Sequence, residues 1–531
     1  MIDRFRLMSV MLVLAVLGGC SSLPPGSEFP RTVSSALRAT DTTQLGRKFE
    51  HAAREHGGNS GFRIIPVGAD GFLLRMQMID AAERTLDLQY YIFRGDETGR
   101  LLTGAVLRAA DRGVRVRVLV DDGETEVGDD QITTLVAHSS VEVRIFNPFS
   151  YRGHATLLRA VEFTVSASRL DYRMHNKLLV VDNAIALIGG RNIGDQYFQI
   201  NPDSQMADDD LFAAGPIARQ LSMTFDEFWN YGLSIPAEAL SGEKPSHAAL
   251  NEHREVLKQE SHELKASDID YVRRVAVGEP YDGILAGRLN LIWAPARLVY
   301  DSPDKKKVED GEMVGMLMHR AVADAASAVH FELLMVTPYL IPGIEGMRLF
   351  KDLRQRRVLV RILTNSLEST QVLLAQSAYM HYRMPLLLSG VELYEVRSLL
   401  GNTNGSGQTA AISQYGNYSL HAKMFIFDRQ SLFIGSMNFD QRSMHLNTEV
   451  GLIINSSALA QQAAARFEAM VQPANSYMPV LRPNDGERSP SVMWRTREGG
   501  KDMEYCAEPA RSAWQRIEAN ILSKMPLDQE L

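Results

Sequence analysis

Residues 174–192 read MHNKLLVVDNAIALIGGRN, and residues 420–438 read LHAKMFIFDRQSLFIGSMN. Both stretches contain a His, a Lys two residues later, an Asp, a Gly and an Asn. These five positions recur with one displacement, because 421 − 175, 423 − 177, 428 − 182, 435 − 189 and 438 − 192 all equal 246. From average composition, one such set arises by chance about once in ten thousand sequences. The two stretches are therefore copies, and they indicate that the chain is duplicated.

The duplication extends to the elements around the two stretches. The alternating apolar run that starts at Leu86 recurs from Val329 (329 − 86 = 243), and each run follows a helical pattern. A second run at residues 116–120 recurs at residues 360–363 (361 − 117 = 244). Continuous apolar strands that alternate with helices are typical of α/β layers with both faces of the sheet covered. The sequence thus predicts two α/β units.

Composition excludes several classes of protein. The chain has 531 residues, enough for three or four units at about 150 residues per domain. Its 56 basic and 64 acidic residues give a formal charge of −8, which disfavours nucleic acid as a partner. Two cysteines, Cys20 and Cys506, exclude a disulfide framework and a four-thiolate metal site.

The N-terminus resembles a bacterial lipoprotein signal. Arg4 and Arg6 precede an apolar run over residues 7–17, and Cys20 follows two glycines. Eleven helical residues rise only about 16 Å, roughly half of a hydrocarbon core, so the run is too short to span a membrane. We expect residues 1–19 to be removed and Cys20 to be lipidated. The anchored chain would lie on the periplasmic side of a membrane, with the outer membrane open as an alternative. An uncleaved or plainly cleaved export signal is the other interpretation.

The repeated residue types fit phosphodiester chemistry. In an extended strand, residues i and i+2 share a face, so His175 projects with Lys177 and His421 with Lys423. If the two copies pack about a twofold axis, both pairs meet in one cleft. One imidazole can then attack phosphorus while the other protonates the departing alkoxide, and the ammonium groups stabilise the oxygens without a metal or cofactor. The alternative, duplicated structural residues, would bury two Lys and two His at a desolvation cost without benefit.

These sets resemble the HKD motifs of the phospholipase D superfamily, and the resemblance covers nearly the whole chain beyond Cys20. It implies two duplicated α/β/α lobes with pseudo-twofold symmetry and a phosphohistidine site between them. It makes His175 the nucleophile and His421 the general acid/base. It also implies that Lys177, Lys423, Asn192 and Asn438 bind phosphoryl oxygens. The resemblance completes the catalytic set with Asp182 and Asp428, both expected to support the motif loop, and adds Ser436 and Gly190 to the substrate-binding set.

Each imidazole also needs an acceptor for its second nitrogen. Glu449 and Asp210 lie on matching short strands downstream of the motifs, although 449 − 210 = 239 differs by seven from the motif displacement. Asp208 is the rival to Asp210. For any one of these carboxylates, a solvated surface charge is the alternative.

Further stretches narrow the resemblance to one branch of the superfamily. Residues 146–149 (FNPF), 168–177 (SRLDYRMHNK), 189–194 (GGRNIG) and 391–395 (VELYE) resemble bacterial lipoproteins of the cardiolipin synthase C type. This implies transfer of a phosphatidyl group to a glycerophospholipid alcohol, with phosphatidylglycerol and phosphatidylethanolamine as partners and cardiolipin as product. A phospholipase D hydrolase, a surface nuclease and a scaffold with an inactive site are the alternatives. Four arginines are candidates to bind anionic headgroups: Arg152, Arg159, Arg169 and Arg173.

The predicted organisation has six segments: a signal over residues 1–19, a lipidated tether over 20–45, a first lobe over 46–245, a helical linker over 246–290, a second lobe over 291–480 and a C-terminal extension over 481–531. In the extension, Trp514, Ile517, Ile521 and Met525 follow helical spacing. We expect this apolar stripe to pack on the protein itself, with contact to lipid as the alternative.

Overall fold

The computed structural model describes residues 25–123, 135–152, 156–199, 205–240, 246–265, 289–400, 418–482 and 490–525. Its first sheet contains β1 (Ser60–Ile65), β2 (Thr85–Tyr90), β3 (Arg115–Asp121), β4 (Val141–Phe146), β5 (Leu178–Val181), β6 (Ile185–Gly189), β8 (Asp210–Ala214), β9 (Ser234–Pro236) and β10 (Ile292–Ala294). The second sheet contains β11 (Ala296–Tyr300), β12 (Glu332–Val336), β13 (Leu359–Asn365), β14 (Glu392–Val396), β16 (Met424–Phe427), β17 (Ser431–Gly435), β18 (Val450–Asn455), β19 (Ser476–Leu481), β20 (Val492–Glu498) and β21 (Lys501–Tyr505). A third, two-stranded sheet consists of β7 (Gln205–Ala207) and β15 (Tyr418–Leu420).

The two large sheets share one strand order. The first runs β10-β1-β8-β6-β5-β2-β3-β4-β9, and the second runs β11-β18-β17-β16-β12-β13-β14-β19-β20-β21. In each sheet three neighbouring strands are parallel, β2-β3-β4 in the first and β12-β13-β14 in the second. Eight consecutive positions correspond, from β1 to β9 and from β11 to β19. The predicted duplicated α/β fold is therefore confirmed.

Helices cover the faces of both sheets. They are α1 (Gln44–Glu55), α2 (Gly68–Asp80), α3 (Glu97–Asp111), α4 (Thr156–Val165), α5 (Ala167–Leu170), α6 (Pro216–Trp229), α7 (His247–Lys265), α8 (Lys305–Glu309), α9 (Met318–Ser327), α10 (Gly343–Gln355), α11 (Leu373–Leu388), α12 (Gln441–His445), α13 (Ser457–Met470) and α14 (Ala513–Leu522). Short 3₁₀ turns occur at Thr40–Thr42, Asp195–Tyr197 and Ala237–Ala239.

Apolar side chains form one outer core in each lobe and a third core that both lobes share. Phe72 of α2 lies in the outer core of the first lobe, and Phe350 of α10 lies in that of the second. The shared core contains Phe225 of α6 and Phe467 of α13. Burying one such side chain contributes about 1.5–3 kcal/mol. A continuous apolar layer therefore fixes the two lobes against each other.

Backbone pairing also joins the lobes, directly beside the two motifs. β7 of the first lobe pairs in parallel with β15 of the second, and Met174 forms a bridge with Thr448. Arg442 Nη1 lies 2.6 Å from Asp171 Oδ1 across the same interface. The motif histidines come immediately after these paired segments, so the pairing between lobes sets their positions.

The N-terminal segment differs from the predicted tether. Arg31 donates to the carbonyl of Gly232 (2.7 Å), and the amide of Ala36 donates to Asp226 (2.8 Å). From Arg31 onward the chain is thus held on the first lobe, and the tether predicted over residues 20–45 is too long. The predicted signal and Cys20 lie outside the described residues. Within the described ranges, no helix combines the length and the apolarity needed to cross a bilayer.

The structure also places both boundaries of the second lobe differently from the prediction. Residues 292–294 form an edge strand of the first sheet by pairing with β1, so the second lobe begins at β11 and not at residue 291. At its other end, β20 and β21 extend the second sheet beyond residue 480. In the predicted linker, α7 packs on the first lobe through the buried Leu250, and residues 266–288 lie outside the described ranges.

The prediction for the apolar stripe near the C-terminus is wrong. Trp514 is 71% exposed and Ile521 is 60% exposed, whereas Ala519 of the same helix is fully buried. α14 packs on α11 with its small-residue face, because Ala519 allows close approach of the two helices. The large apolar side chains are left facing outward.

Candidate active site

Each motif runs into a tight β-hairpin. Asp182 and Asn183 join β5 to β6 with φ values of 51° and 53°, and Asp428 and Arg429 follow β16 with φ values of 51° and 54°. Asp and Asn tolerate this left-handed region better than most residues. The motif His and Lys precede the first strand of each hairpin, so they lie at the end opposite the turn.

The two motif aspartates bind backbone, not the histidines. Asp182 accepts the amides of residues 83–85 at 2.8–3.0 Å, and Asp428 accepts those of residues 330–332 at 2.7–2.9 Å. Each Asp comes five positions after its motif Lys, a distance of about 16 Å along a strand. These residues anchor the hairpin turns to the starts of β2 and β12, and they do not belong with the catalytic groups.

The two motif histidines come from different lobes and meet at the interface. The amide of His175 donates to the carbonyl of Thr448 (3.0 Å), and that of His421 donates to the carbonyl of Ala207 (2.7 Å). Each imidazole side chain is only 9% exposed. The charge of Lys423 lowers the pKa of His175, and that of Lys177 lowers the pKa of His421, in both cases in addition to a larger effect of burial. The two motifs therefore share one electrostatic environment.

Each imidazole contacts a carboxylate from the opposite lobe. His175 Nδ1 lies 2.9 Å from both carboxylate oxygens of Glu449, and His421 Nδ1 lies 2.5 Å from Asp208 Oδ2. Because Nδ1 is bound in both rings, Nε2 is the nitrogen left for chemistry.

The structure corrects the proposed role of Asp210. Its carboxylate accepts Arg75 at 2.7 and 3.0 Å and Arg191 at 2.9 Å, and it does not orient an imidazole. Strand register explains the error. Gly189 pairs with Asp210, and Gly435 pairs with Gly451, so the local displacement is 451 − 210 = 241. By this displacement the counterpart of Glu449 is residue 208, because 449 − 241 = 208.

The two lysines are buried beside the imidazoles. Lys177 Nζ donates to the carbonyl of His175 (2.7 Å) and lies 5.2 Å from the centroid of the Tyr91 ring. Lys423 Nζ lies 2.9 Å from His421 Nδ1 and also contacts the carbonyl of His421. Both side chains can thus place positive charge next to a reacting phosphoryl group.

The two asparagines differ in their contacts. Asn192 Oδ1 accepts the amide of Ile92 (3.1 Å), and its Nδ2 donates to the hydroxyl of Tyr197 (2.9 Å). Asn438 Oδ1 is buried without a hydrogen-bond partner among the described residues. A side-chain amide can rotate to present either its carbonyl or its NH₂, so Asn438 can donate to a phosphoryl oxygen.

Gly190 and Ser436 occupy equivalent positions (436 − 190 = 246), and each lies against an orienting carboxylate, while their expected role in substrate binding stays a prediction. The hydroxyl of Ser436 donates to Glu449 and accepts the amide of Val450 (3.0 Å). A Cβ atom at Gly190 would lie 2.5 Å from Asp208 Oδ2 and 2.7 Å from Asp208 Cγ. The missing side chain therefore makes room for the Asp208 carboxylate.

Burial lowers the pKa values of the two motif histidines and of the two motif lysines. Burial, followed by nearby lysines, lowers the pKa of His175 well below its usual value and that of His421 to about 3. Burial also lowers the pKa of Lys423 to about 8 and that of Lys177 well below its usual value. Both imidazoles are therefore neutral without substrate.

The pKa values of the two orienting carboxylates, Glu449 and Asp208, are shifted in opposite directions. Burial raises the pKa of Glu449 to about 7 against the opposing charge of Lys177. Burial also acts to raise the pKa of Asp208, but the combined effect of Lys423, His421 and Arg191 lowers it below the usual value. At neutral pH, Asp208 is ionised and Glu449 is close to its midpoint.

The four candidate headgroup arginines have partners within the first lobe. Arg152 Nη1 lies 2.6 Å from Asp122, and Arg173 Nη1 lies 3.2 Å from Asp121. Arg159 donates to the carbonyl of Asp122 (2.7 Å), and Arg169 donates to the side chain of Asn147 (2.7 Å). These contacts hold the segment upstream of the first motif, and they do not support a headgroup-binding cluster.

Two tyrosines lie beside the imidazoles, and the spacing of the motifs points to neither of them: Tyr91 and Tyr197. The Tyr91 ring lies edge-on to His175 with centroids 4.9 Å apart, and the Tyr197 ring lies edge-on to His421 at 5.3 Å. Tyr91 directly follows β2, a position that carries no motif. Its proximity to His175 depends on the packing of β2 beside β5, which sequence spacing does not reveal.

Together these groups can perform a two-step displacement at phosphorus. Two imidazoles with free Nε2 atoms supply a nucleophile and a proton carrier, and two ammonium groups can stabilise charge on the equatorial oxygens. The carboxylates fix both rings. The arrangement is suited to transfer through a covalent histidine intermediate.

Comparison with known proteins agrees with this chemistry. Residues 76–229 and 323–471 match the family described as "Cardiolipin synthase, PLD-like domain", where PLD denotes phospholipase D. The chain is 35% identical over 486 residues to cardiolipin synthase C of Escherichia coli (strain K12), which covers 89% of this chain and 97% of that protein. It is 24% identical over 409 residues to the major cardiolipin synthase ClsA of Bacillus subtilis (strain 168), covering 76% of this chain and 67% of that protein.

A solved structure shares the fold. The crystal structure of phosphatidylserine synthase from Haemophilus influenzae Rd KW20 has a TM-score of 0.51 and 12% identity, and covers 81% of this chain and 92% of that one. At this identity the likeness concerns the fold alone. The family match covers both lobes and more than half of the chain, and it agrees with the independently derived pair of His-Lys sets. The chain therefore belongs to the PLD-like cardiolipin synthase family and is an enzyme of the phospholipase D superfamily.

Proposed function

We propose that the protein is a cardiolipin synthase-type phosphatidyltransferase. It moves a phosphatidyl group through a phosphohistidine to the free alcohol of a second glycerophospholipid. The observation that carries the proposal is the pair of buried contacts across the lobe interface, His175 with Glu449 and His421 with Asp208. The 35% identity to a protein named cardiolipin synthase C, over 97% of its length, supports this choice within the superfamily.

In the first step, Nε2 of His175 attacks the phosphorus of phosphatidylglycerol. His421 takes up a proton from solvent on Nε2 when the anionic substrate binds. The bond from phosphorus to the headgroup glycerol oxygen then breaks, and that oxygen takes this proton. Glycerol leaves, and the phosphatidyl group remains on His175. With phosphatidylethanolamine as donor, ethanolamine leaves in the same way. The binding of Nδ1 to a carboxylate in both rings supports the use of Nε2 in each role.

In the second step, a headgroup hydroxyl of phosphatidylglycerol gives its proton to Nε2 of His421. The hydroxyl oxygen attacks phosphorus, the bond from phosphorus to His175 breaks, and cardiolipin is released. Both histidines return to their starting states. Water must be kept out at this step, because its attack would give phosphatidic acid.

The charges of the active site support an anionic substrate. Burial and mutual repulsion lower the pKa of Lys177, and burial lowers that of Lys423 to about 8. A phosphodiester anion between the two ammonium groups removes part of this repulsion. The same negative charge raises the proton affinity of His421, which lets that ring act as the acid.

Exposed apolar helices support a lipid substrate. On α4, close to the first motif in sequence, Leu157 is 74% exposed and Val161 is 53% exposed. The outward-facing stripe of α14 adds Trp514 and Ile521. Apolar surfaces of this kind are covered when a protein rests on a bilayer.

We infer that the chain is an exported bacterial lipoprotein anchored through Cys20. The charged start at Arg4 and Arg6, the short apolar run and the following cysteine support this location. Metabolic labelling with a fatty acid should modify the wild-type chain and not a Cys20→Ala variant. Equal labelling of the two would contradict lipidation at this residue.

The decisive experiment is a lipid assay with the purified full chain. Mixed micelles contain phosphatidylglycerol, with or without phosphatidylethanolamine, together with a chelator, and the products are separated and identified by mass. We expect cardiolipin with release of glycerol or ethanolamine. His330→Ala serves as the matched control, because this histidine is exposed and lies outside the active site.

Each other product distinguishes a competing function. Phosphatidic acid as the sole product would make the protein a hydrolase with the same catalytic residues. Cleavage of a DNA phosphodiester at a comparable rate would make it a nuclease. No turnover of any of these substrates would indicate a scaffold.

A further inference from the structure

We propose that the second lobe contains a zinc-class metal site formed by Glu309, His319 and His445, behind the active site. Glu309 ends α8, His319 is the second residue of α9 and His445 ends α12. One ligand atom from each of the three side chains lies within 4.8 Å of the other two. Two imidazoles and a carboxylate are donors that Zn²⁺ accepts.

The spacing of the donor atoms fits a tetrahedral ion. His319 Nδ1 lies 3.5 Å from Glu309 Oε1, and His445 Nδ1 lies 3.5 Å from Glu309 Oε2. Bonds of about 2.0–2.1 Å to zinc place tetrahedral ligands about 3.3 Å apart. Small side-chain movements would therefore bring the three donors onto one ion.

Two donor atoms have unused bonding capacity. His319 Nδ1 and Glu309 Oε1 are inaccessible to solvent and have no hydrogen-bond partner in the described part of the chain. Both atoms can therefore bind a metal ion without giving up a hydrogen bond.

The contact between His319 and Glu309 leaves room for a cation. A neutral His319 with its proton on Nε2 would direct the lone pair of Nδ1 at a carboxylate oxygen, so that two acceptors would face each other at 3.5 Å. A cation between Nδ1 and Glu309 would relieve the unfavourable contact.

The surroundings permit access and balance charge. The His445 side chain is 43% exposed, whereas those of His319 and Glu309 are 11% and 19% exposed, so an ion can enter from the His445 side. The nearest buried cation, Lys305, is neutralised by Asp301 at 2.9 Å. Arg320 is a further positive charge near His319.

A metal at this position would tie three helices together below the interface of the two lobes. α12 is capped by Asp440, which accepts the amide of Ser443 (2.7 Å), and it carries Arg442, which pairs with Asp171 of the other lobe. Four residues after His445 the chain reaches Glu449. The metal would therefore act as a structural clamp on the segment that supplies an orienting carboxylate.

The test is metal binding by the full chain, purified in detergent without a histidine tag and stripped with chelator. Titration with Zn²⁺ should show one saturable site and a rise in the thermal midpoint that depends on metal concentration. His445→Ala is the principal variant, because its exposed side chain can be removed without loss of folding. We expect it to weaken Zn²⁺ binding by more than about tenfold, and His319→Ala to do so to at least the same extent.

Matched controls separate this site from other histidines. His138 lies 3.2 Å from Asp111 without a third ligand in the described residues, so His138→Ala should leave the affinity for Zn²⁺ unchanged. Mg²⁺, which prefers oxygen ligands, should not compete. Zn²⁺ binding that is undetectable in the wild type, or unchanged in both His445→Ala and His319→Ala, would overturn the proposal. None of these readouts depends on lipid turnover.

Discussion

The first half-site contains His175, Lys177 and Glu449, and the second contains His421, Lys423 and Asp208. Both have an imidazole bound through Nδ1 to a carboxylate of the opposite lobe. The carboxylates differ, because burial raises the pKa of Glu449 to about 7, whereas neighbouring cations lower that of Asp208. Duplicated geometry therefore does not produce duplicated electrostatics.

The difference has a structural origin. In the first half-site the longer Glu449 is held by the Ser436 hydroxyl, and in the second the shorter Asp208 occupies space that Gly190 leaves open. Asp208 lies beside an imidazole that Lys423 also approaches, so its negative charge is stabilised. An ionised Asp208 favours a protonated His421, which suits a general acid. Glu449, with its raised pKa, stabilises a protonated imidazole less than Asp208 does, so His175 stays neutral, which suits a nucleophile once Glu449 is ionised and accepts the Nδ1 proton.

The largest expected effect comes from the histidines. His175→Asn and His421→Asn should each lower cardiolipin formation by about 10⁴-fold or more. A phosphatidyl ester of p-nitrophenol separates their roles, because its leaving group needs no protonation. His421→Asn should still release a burst of nitrophenolate and trap phosphatidyl on the protein, and His175→Asn should not. The opposite pattern would exchange the two roles.

The orienting carboxylates give the second largest effect and test the electrostatic difference. Glu449→Gln and Asp208→Asn should each lower activity by about 10²- to 10⁴-fold, because the imidazoles lose their charged partners. Their effects on stability at pH 8 should have opposite signs. Removing the destabilised charge of Glu449 should stabilise the fold by about 1–3 kcal/mol, and removing the stabilised charge of Asp208 should destabilise it by a similar amount.

The sign of the stability effect follows from proton linkage. The raised pKa of Glu449 means that its contribution to stability falls as pH rises from about 4.5 to about 7 and then stays low. The lowered pKa of Asp208 means that its contribution is present above about pH 4 and is lost at lower pH. Urea unfolding at pH 8 measures both variants. Changes of the same sign would show that the half-sites do not differ electrostatically.

The dependence of kcat/KM on pH should have an acidic limb that depends on the first half-site and an alkaline limb that depends on the second. Glu449 must ionise to hold the imidazole of His175, so kcat/KM should rise through about pH 7. Lys423 must keep its proton to bind the phosphoryl group, so kcat/KM should fall through about pH 8. Glu449→Gln should remove the acidic limb from the residual activity and leave the alkaline one. An acidic limb that survives in this variant would belong to another group.

Smaller losses of activity, which differ between the two positions, are expected for substitutions at Gly190 and Ser436. Gly190→Ala should lower activity by about 10- to 100-fold, because the new Cβ atom overlaps Asp208 and must displace it. Ser436→Ala removes one hydrogen bond to Glu449, worth about 1 kcal/mol, and should lower activity by less than about tenfold. Steady-state rates of the two variants provide the comparison. An equal loss in both would mean that the open space at Gly190 is not needed for Asp208.

The smallest effect on activity is expected for the hairpin aspartates. Asp182→Asn and Asp428→Asn weaken matched sets of backbone hydrogen bonds and should each destabilise the protein by about 1–2 kcal/mol. Activity measured well below the unfolding temperature should change by less than about threefold. Loss of activity in one variant without loss of stability would reveal a catalytic role for that residue.

The fold could be predicted because its signal is local. Strand and helix patterns follow from side-chain periodicity, and the constant displacement of 246 residues makes the duplication visible without any structure. The prediction fails where tertiary packing determines which face of a helix is buried. Trp514 and Ile521 lie on a helical stripe, yet α14 packs through Ala519, and helical spacing alone does not show which face another helix covers.

The candidate site was predictable to the same degree. His175, Lys177, His421 and Lys423 are defined by residue type and spacing. Asp210 was preferred over Asp208, because the choice depends on the register of β8 against β6, and the pairing of Gly189 with Asp210 cannot be seen from residue spacing.

The sequence alone determined that the chain is two copies of one unit and that each copy brings a His and a Lys to the same chemistry, because identical residues at fixed spacing fold into identical local structure. Only the tertiary structure decided that each imidazole is held by a carboxylate of the other lobe, and that Glu309, His319 and His445 converge. Such contacts join residues far apart in the chain. They depend on strand register and lobe packing, which the spacing of residues does not encode.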